Sequence, residues 1–222
     1  MKNLNLNITV SPNLFLKNPN STDLGRSIIS NSIVIIDQLG FESFTFKKLG
    51  QIINSPESSI YRYFENKHTL LIYLVSWYWS WIEYQLVFAT VNINSSTEKL
   101  KNAIKILTQA TKKDQSTSFI NEVLLNKIII TESVKAFHTK GVENENKKGY
   151  FKSYKKVVER VSNLVLDVNP KFEYPHMLIS TVIEGAHQQR FFTDHLPSLT
   201  DIIEGKDSIT EFYTKMVFNI IK

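Results

Sequence analysis

Residues 54–71 read NSPESSIYRYFENKHTLL and combine two helix starts, several hydroxyl groups and three aromatic side chains within eighteen positions. Ser55, Pro56 and Glu57 are typical of a helix N-terminus, because they supply an N-cap, a proline at the first helical position and an acid in the first turn. Asn66 is a candidate N-cap for a further helix. The stretch therefore predicts a short helix followed directly by the start of a longer one.

Another short helix is predicted just before this stretch, over 45–53, with Thr45 as its N-cap. Asn54 follows it, and asparagine tolerates the left-handed conformation that a tight turn requires. Short helices over 45–53 and 56–63, joined by such a turn, have the dimensions of a helix-turn-helix, whose second helix enters the major groove of DNA. The segment therefore predicts a DNA-binding motif, with a hairpin that merely packs as the alternative.

The outer face of the predicted second helix is small and polar, with Glu57, Ser58 and Ser59 at its N-terminal end. A helix that enters a groove needs such side chains, whereas a helix that only packs would be expected to carry aliphatic ones. Lys47 and Lys48 fit a solvated face equally well, and Tyr61 fits a hydrogen bond within its own domain equally well.

Helical periodicity continues through the rest of the chain, with no internal repeat. The segments with this pattern cover 24–39, the region from 66 onward, 100–110, 118–138, 150–168, 174–195 and 208–221, with a polar break over 139–149. The sequence predicts an all-α fold of about nine helices. We expect a partly ordered arm over 1–22, a helix-turn-helix domain over 23–75, and a larger C-terminal domain over 76–222.

Composition and charge set limits on function. The chain of 222 residues is 42% apolar and 21% charged, which is ordinary for a globular protein, and it has no cysteine for a disulfide or a thiolate metal site. No signal peptide or membrane span is recognisable, so we expect a cytoplasmic protein with no membrane partner.

The net charge of +5 divides into +2 for 1–22, zero for 23–75 and +3 for 76–222. Bulk charge therefore gives no support to DNA binding by 23–75, and the function must depend on individual residues.

The stretch 28–71, IISNSIVIIDQLGFESFTFKKLGQIINSPESSIYRYFENKHTLL, resembles without a gap the N-terminal pattern of the tetracycline-repressor (TetR) family of transcription regulators. The strongest matches are Gly40-Phe41, Thr45, Leu49, the run from Ile60 to Phe64, Asn66-Lys67 and Leu70-Leu71. The chain departs from the family pattern at Asn54-Ser55-Pro56, where Gly-Val-Ser is usual, at Gly50, where alanine is usual, and at Phe44.

The resemblance implies a double-stranded DNA operator as partner. Phosphate contacts are implied for Thr45, Lys47, Ser59, Tyr61, Tyr63 and Lys67, base contacts for Pro56, Glu57 and Ser58, and further DNA contacts for Lys48 and Arg62. Because a carboxylate can accept a hydrogen bond from cytosine N4, Glu57 predicts a C·G pair in the operator.

For the C-terminal part, the resemblance implies a homodimer and a pocket for a small-molecule effector. Helices over 174–195 and 208–221 would form a four-helix dimer interface that includes Glu184, Gly185, Gln188, Phe191 and Phe212. The candidate effector-binding residues are Trp77, Trp81, Tyr84 and His187. The aromatic residues among them recur at helical spacing, and such a stripe equally predicts core packing.

An enzyme is the least favoured alternative. The pairs Glu173/His176 and Glu184/His187 match the Glu-x-x-His unit of di-metal bundles. Eleven residues on one helix span about 16 Å, however, whereas paired metals lie about 3.5–4 Å apart. We therefore expect no enzymatic activity, cofactor or metal.

A second alternative concerns lysines that share one side of a predicted helix, namely Lys148, Lys152, Lys155 and Lys156. They predict a solvated face or the binding of an acidic partner.

The sequence as a whole predicts a ligand-released repressor that binds a palindromic operator as a homodimer. The alternative is a helical interaction module that no longer binds DNA.

Overall fold

The computed structural model describes residues 8–113 and 119–222, and this part of the chain contains α-helices and short 3-10 helices but no strand. The ten α-helices within it are α1 (Asp23–Ser43), α2 (Phe46–Ile52), α3 (Glu57–Tyr61), α4 (Lys67–Thr90), α5 (Ser96–Thr108), α6 (Glu122–Phe137), α7 (Val142–Lys147), α8 (Lys152–Val168), α9 (Pro175–His195) and α10 (Ser208–Ile220). The predicted all-α fold is confirmed. No helix in the two described ranges is both long and apolar enough to cross a membrane.

The helix that the sequence did not predict is α7, which lies in the segment interpreted as a polar break. Glu143 and Glu145 occupy its first turn and Lys147 its last, an arrangement that the helix dipole favours. Gly149 follows with a φ of 80°. An interpretation based on apolar periodicity misses α7 because none of its residues is buried.

The chain forms two compact units, each built from two segments. The first contains the described residues of 1–80 and 111–153, and the second contains 81–110 and 154–222. The sequence analysis placed the boundary between the two functional domains at residue 75. The first compact unit extends beyond that boundary and also includes α6 and α7. The functional division remains a prediction.

The first unit is centred on α1, which packs against α6. Its buried face includes Ile28, Ile29, Ile33 and Ile36. Regular helix geometry stops at Gly40, whose φ of 74° is left-handed, as expected for a glycine at the predicted end of this helix.

The N-terminal arm belongs to the same core. The predicted arm covered 1–22, of which 1–7 lie outside the described residues. Leu14, the last residue of the short 3-10 helix Pro12–Leu14, is fully buried, and a second 3-10 helix follows at Pro19–Ser21. The backbone N–H of Leu16 donates to the carbonyl of Tyr63 at 2.8 Å, and the hydroxyl of Tyr73 donates to Asn20 at 3.3 Å. The arm therefore braces the segment that follows α3.

The predicted helix-turn-helix is formed by α2, a tight turn and α3. The hydroxyl of Thr45 accepts the N–H of Lys48 as an N-cap, and Asn54 has a φ of 49°, so both predictions are confirmed. The predicted N-cap at Ser55 is wrong, since Pro56 occupies that position. Instead, the N–H of Ser55 closes the turn by donating to the carbonyl of Gly50 at 2.9 Å.

The second unit contains α5, α9, α10, the C-terminal part of α4 from Trp81 onward, and α8 from Tyr154 onward. Buried Glu83 accepts both Nε and Nη2 of Arg160, with atom separations of 2.6–2.9 Å. Arg190 of α9 donates to the carbonyl of Thr108 and to Asp207, the N-cap of α10. These charged groups connect helices within this unit.

Gly50 is the residue at which the turn is most sensitive to substitution. A Cβ at this position would lie 2.6 Å from the carbonyl oxygen of Ser55, which is backbone and cannot rotate away. We predict that Gly50→Ala lowers the free energy of unfolding by about 1 to 3 kcal/mol, the usual effect of overpacking, as measured by urea denaturation. Gly141→Ala is the matched control, because a Cβ there meets side-chain atoms only at 3.6 Å or more. Equal stability of the two variants would contradict this account of the turn.

Candidate nucleic-acid interface

The predicted recognition surface begins with the outer face of α3. Pro56 and Ser58 are exposed, Glu57 and Ser59 are half-buried, and Ile60 is completely buried. The helix therefore packs through Ile60 and presents small polar groups outward. This division agrees with the sequence-based prediction for a helix that enters a groove.

Tyr61 links the end of α3 to its beginning. Its hydroxyl donates to Oε1 of Glu57 at 3.3 Å, and its ring packs edge-on against Phe46, with centroids 5.0 Å apart. The pKa of Tyr61 is raised by partial desolvation and by the neighbouring carboxylate. Tyr61 therefore orients Glu57. With 47% of its surface exposed, Tyr61 is also accessible to a molecule that binds from solvent.

Tyr63 has a different position from the one expected of a phosphate contact. Its side chain is buried, and its hydroxyl forms a hydrogen bond of 2.7 Å with the hydroxyl of Thr22. Lys17 of the arm places its ammonium 5.2 Å from the centre of the Tyr63 ring. The sequence analysis missed Lys17, because no local pattern connects it with a residue 46 positions later.

The positive groups around α2 and α3 fall into two kinds. Lys67 donates to the carbonyls of Phe41, Glu42 and Phe44 at 3.1, 3.0 and 3.3 Å, and Lys48 donates to the carbonyl of Ser43 at 2.8 Å. Lys47 and Arg62 are exposed, and neither forms an ion pair within the described residues. Lys47 and Arg62 are therefore the cations best placed to meet an external anion.

A shallow depression of about 340 Å³ lies between α2 and the start of α3. It brings the predicted DNA-binding residues Lys47, Pro56 and Glu57 together, beside Gly50 and the turn. The depression thus contains one cationic side chain, Lys47, and one carboxylate, Glu57.

The predicted effector-binding residues are distributed over both units. Trp77 belongs to the first unit, and Trp81, Tyr84 and His187 belong to the second. Both tryptophans and His187 are buried, while Tyr84 is half-buried and contacts Phe88 with ring centroids 4.4 Å apart. Burial lowers the pKa of His187 to about 4. Their effector role remains a prediction.

An open cavity of about 600 Å³ lies within the second unit, near the end of α9 and the start of α10. Its apolar lining comes from Leu199, Ile203, Ile209 and Phe212, and its charged lining includes Lys206 and Glu211. The predicted effector residues do not line this cavity. Phe212, one of its walls, was predicted to belong to the dimer interface.

The predicted dimer-interface residues lie on α9 and α10. Gln188 is exposed, Phe212 is 57% exposed, and Phe191 packs against His195 with ring centroids 4.5 Å apart. Glu184 is exposed and accepts a hydrogen bond from Tyr154 at 2.8 Å. A Cβ on Gly185 would lie 2.3 Å from the hydroxyl oxygen of Tyr213, so packing within the chain already accounts for this glycine.

The carboxylate and histidine pairs considered for metal binding have other contacts. His176 lies 2.8 Å from Glu159 rather than in a ligand cluster. Within residues 8–113 and 119–222, no group of three or more potential metal ligands occurs.

Comparison with solved structures places this arrangement of helices in a known fold. The superantigen PfiT matches with a TM-score of 0.59 at 13% identity, over 91% of this chain and 97% of that chain. AibR, in complex with isovaleryl coenzyme A and operator DNA, matches with a TM-score of 0.57 at 13% identity. The match covers 88% of this chain and 97% of the AibR chain. AmtR of Mycobacterium smegmatis matches with a TM-score of 0.51 at 10% identity. The match covers 87% of this chain and 84% of the AmtR chain.

AibR and AmtR are TetR-family regulators, so the chain has a TetR-like fold, and the predicted resemblance is confirmed at the level of fold. No protein-family model and no curated protein sequence matches the chain. PfiT is described as a superantigen, whereas AibR and AmtR are transcription regulators. Proteins with this arrangement of helices therefore do not all have the same described function.

Lys67 is expected to stabilise the fold as well as any complex. We predict that Lys67→Met lowers the free energy of unfolding by about 1 to 3 kcal/mol, since it leaves carbonyl groups without their charged donor. Lys47→Met, which removes an exposed lysine of the same length, should leave the urea midpoint unchanged. A neutral effect of Lys67→Met would show that these three hydrogen bonds contribute nothing to stability.

His187 makes the second unit sensitive to acid. Below about pH 6.5 the unfolded chain binds a proton at this residue that the folded chain, with a pKa of about 4, does not bind. Stability should therefore fall by about 3 kcal/mol between pH 7 and pH 4 through this group alone. Urea titrations of wild type and His187→Gln test this, with exposed His138→Gln as the control. An identical pH dependence in wild type and His187→Gln would contradict the assignment.

Proposed function

We propose that the chain is a sequence-specific DNA-binding transcription regulator, a ligand-released repressor that binds a palindromic operator as a homodimer. The observation that carries this proposal is the division of α3, which packs through buried Ile60 and presents Pro56, Glu57 and Ser58 outward. A recognition helix requires this division, because its outer side chains must approach base edges without bulky aliphatic groups.

In the proposed complex, α3 enters the major groove and its N-terminal residues contact the bases. Glu57 accepts from cytosine N4, and its hydrogen bond from Tyr61 supports one orientation of the carboxylate. Pro56 and Ser58 supply an apolar surface and a hydroxyl on either side of it. Specificity at a C·G pair is the consequence.

Phosphate contacts are proposed for the exposed residues around α3. Lys47 and Arg62 provide the main positive charge, Thr45, Lys48, Ser59 and Tyr61 provide donors, and Lys17 adds a cation from the arm. Tyr63 and Lys67 would support the interface mainly through their internal hydrogen bonds. Because residues 23–75 are neutral overall, the affinity would depend on these few placed cations.

A homodimer is part of the proposal because α3 has only five residues and covers few base pairs. Two copies separated by about one helical turn of DNA would read a palindrome. The exposed surfaces of α9 and α10, including Gln188 and Phe212, are proposed as the interface. Met177 on α9 is 67% exposed and extends this partly apolar surface.

Ligand release is proposed by analogy with AibR, which was solved with isovaleryl coenzyme A and operator DNA. The helix α4 begins directly after the recognition segment and continues through Trp77, Trp81 and Tyr84. A ligand near these residues could shift the start of α4 only if it binds one of the two conformations more tightly.

A helical interaction module that no longer binds DNA is the second candidate. Two observations favour it: residues 23–75 have no net charge, and the ammonium of Lys67 is already engaged by backbone carbonyls. PfiT, described as a superantigen, has a similar arrangement of helices.

Equilibrium DNA binding separates the two candidates. The purified protein is used to select from random-sequence duplexes, and affinity for the enriched site is measured by fluorescence anisotropy at about 50 to 200 mM salt. We predict that Lys47→Ala/Arg62→Ala weakens binding and reduces the salt slope of the homodimer by about 3.6, since each copy loses two phosphate contacts and each contact contributes about 0.9.

The matched control is Lys101→Ala/Lys105→Ala, which removes the same charge from exposed positions on α5. This control should bind like the wild type. Failure to enrich any sequence, or equal salt slopes for both double variants, would favour the interaction module.

A further inference from the structure

Residues 40–44, which are the end of α1 from its kink at Gly40 together with Phe44, are held by charged side chains from two other helices. Buried Glu132 of α6 accepts a hydrogen bond from the N–H of Phe41 at 3.1 Å. Lys67 of α4 donates to the carbonyls of Phe41, Glu42 and Phe44. We call residues 40–44 the connector. One helix thus holds it through an amide proton, and another holds it through its carbonyl oxygens.

The geometry of the connector decides where α2 begins. Gly40 leaves the helix with a φ of 74°, and a Cβ there would lie 3.7 Å from Oε1 of Glu132. The connector then closes on itself, because the N–H of Phe44 donates to the carbonyl of Phe41 at 3.3 Å. Phe44 is completely buried, and Thr45 caps α2 immediately after it. A shift of the connector therefore shifts the helix-turn-helix.

Glu132 is itself held in position. Lys135, one turn along α6, lies 2.7 Å from Oε2 of Glu132 and 3.2 Å from Oε1 of Glu42 in the connector. The hydrogen bond to Glu132 raises the pKa of Lys135. Burying a carboxylate is unfavourable unless hydrogen bonds and a counter-ion compensate for the lost hydration. Burying a leucine at this position would cost less free energy than burying a carboxylate, but a leucine could not accept the hydrogen bond from the Phe41 amide.

We propose that Glu132 is a positioning residue for DNA recognition, which holds the connector so that α2 and α3 keep one orientation relative to α4 and α6. This inference rests on the proposed DNA-binding function. It assigns a role to α6, which lies outside the predicted DNA-binding domain. Any event that displaces α6 from α1 would act on the recognition helix through this contact.

The test compares three variants of the full chain. Glu132→Leu removes the acceptor of the Phe41 amide, whereas Glu132→Gln retains an amide oxygen that can accept it. Glu145→Leu is the matched control, since the carboxylate of Glu145 pairs with His68 at 2.8 Å in the same unit and not with the backbone of residues 40–44. Circular dichroism first establishes that each variant is folded.

Two quantities are then measured: the ratio of affinities for the selected site and for an unrelated duplex, and the hydrogen exchange of the Phe41 and α2 amides. We expect Glu132→Leu to lower the ratio about tenfold, the effect of one lost hydrogen bond to a charged group, and to speed this exchange. Glu132→Gln should retain both properties, and Glu145→Leu should leave both unchanged.

The outcomes distinguish this inference from the proposed function. Unchanged exchange in Glu132→Leu overturns the inference even if the wild type binds DNA specifically. Faster exchange with an unchanged affinity ratio also overturns it, because the connector would then not govern recognition. If the wild type prefers no sequence, the proposed function fails and Glu132 is not a positioning residue for recognition. The exchange data then show only whether Glu132 holds α2.

Discussion

Three hydrogen bonds from one ammonium group hold the end of α1 beside the predicted helix-turn-helix. Lys67, the first residue of α4, donates to the carbonyls of residues 41, 42 and 44 at the end of α1. The orphan carbonyls at a helix end require partners, and here the partner belongs to another helix. The contact thus fixes α1, the connector and α4 together, and the position of α2 and α3 follows from it.

Local rules were sufficient to predict the helices of the recognition segment, since Thr45, Asn54 and Gly40 act within a few residues of their own positions. Roles that depend on distant partners were not predictable. Tyr63 bonds to Thr22, Lys67 to the end of α1, and Glu132 to an amide 91 positions earlier. The cap at Ser55 was predicted wrongly because α3 begins one residue later than expected, at Glu57, which places Pro56 in the N-cap position.

Charge placement, rather than total charge, determines what the recognition surface can bind. Five of the ten charged side chains in residues 23–75 are acidic, and Lys48 and Lys67 donate to backbone carbonyls. Lys47 and Arg62 remain at the surface near the outer face of α3, together with Lys17 from the arm. Binding through so few cations would be moderate in strength, and it would rely on base contacts by Pro56, Glu57 and Ser58 for discrimination.

The account depends most directly on the entry of α3 into a major groove. Dimethyl sulfate protection on the selected duplex measures this, because the reagent methylates guanine N7 in the major groove and adenine N3 in the minor groove. The account predicts protection of guanine N7 in two segments about one helical turn apart, with adenine N3 between them still reactive. Protection confined to adenine N3, or no protection at saturating protein, would contradict the proposal that this fold reads DNA through α3.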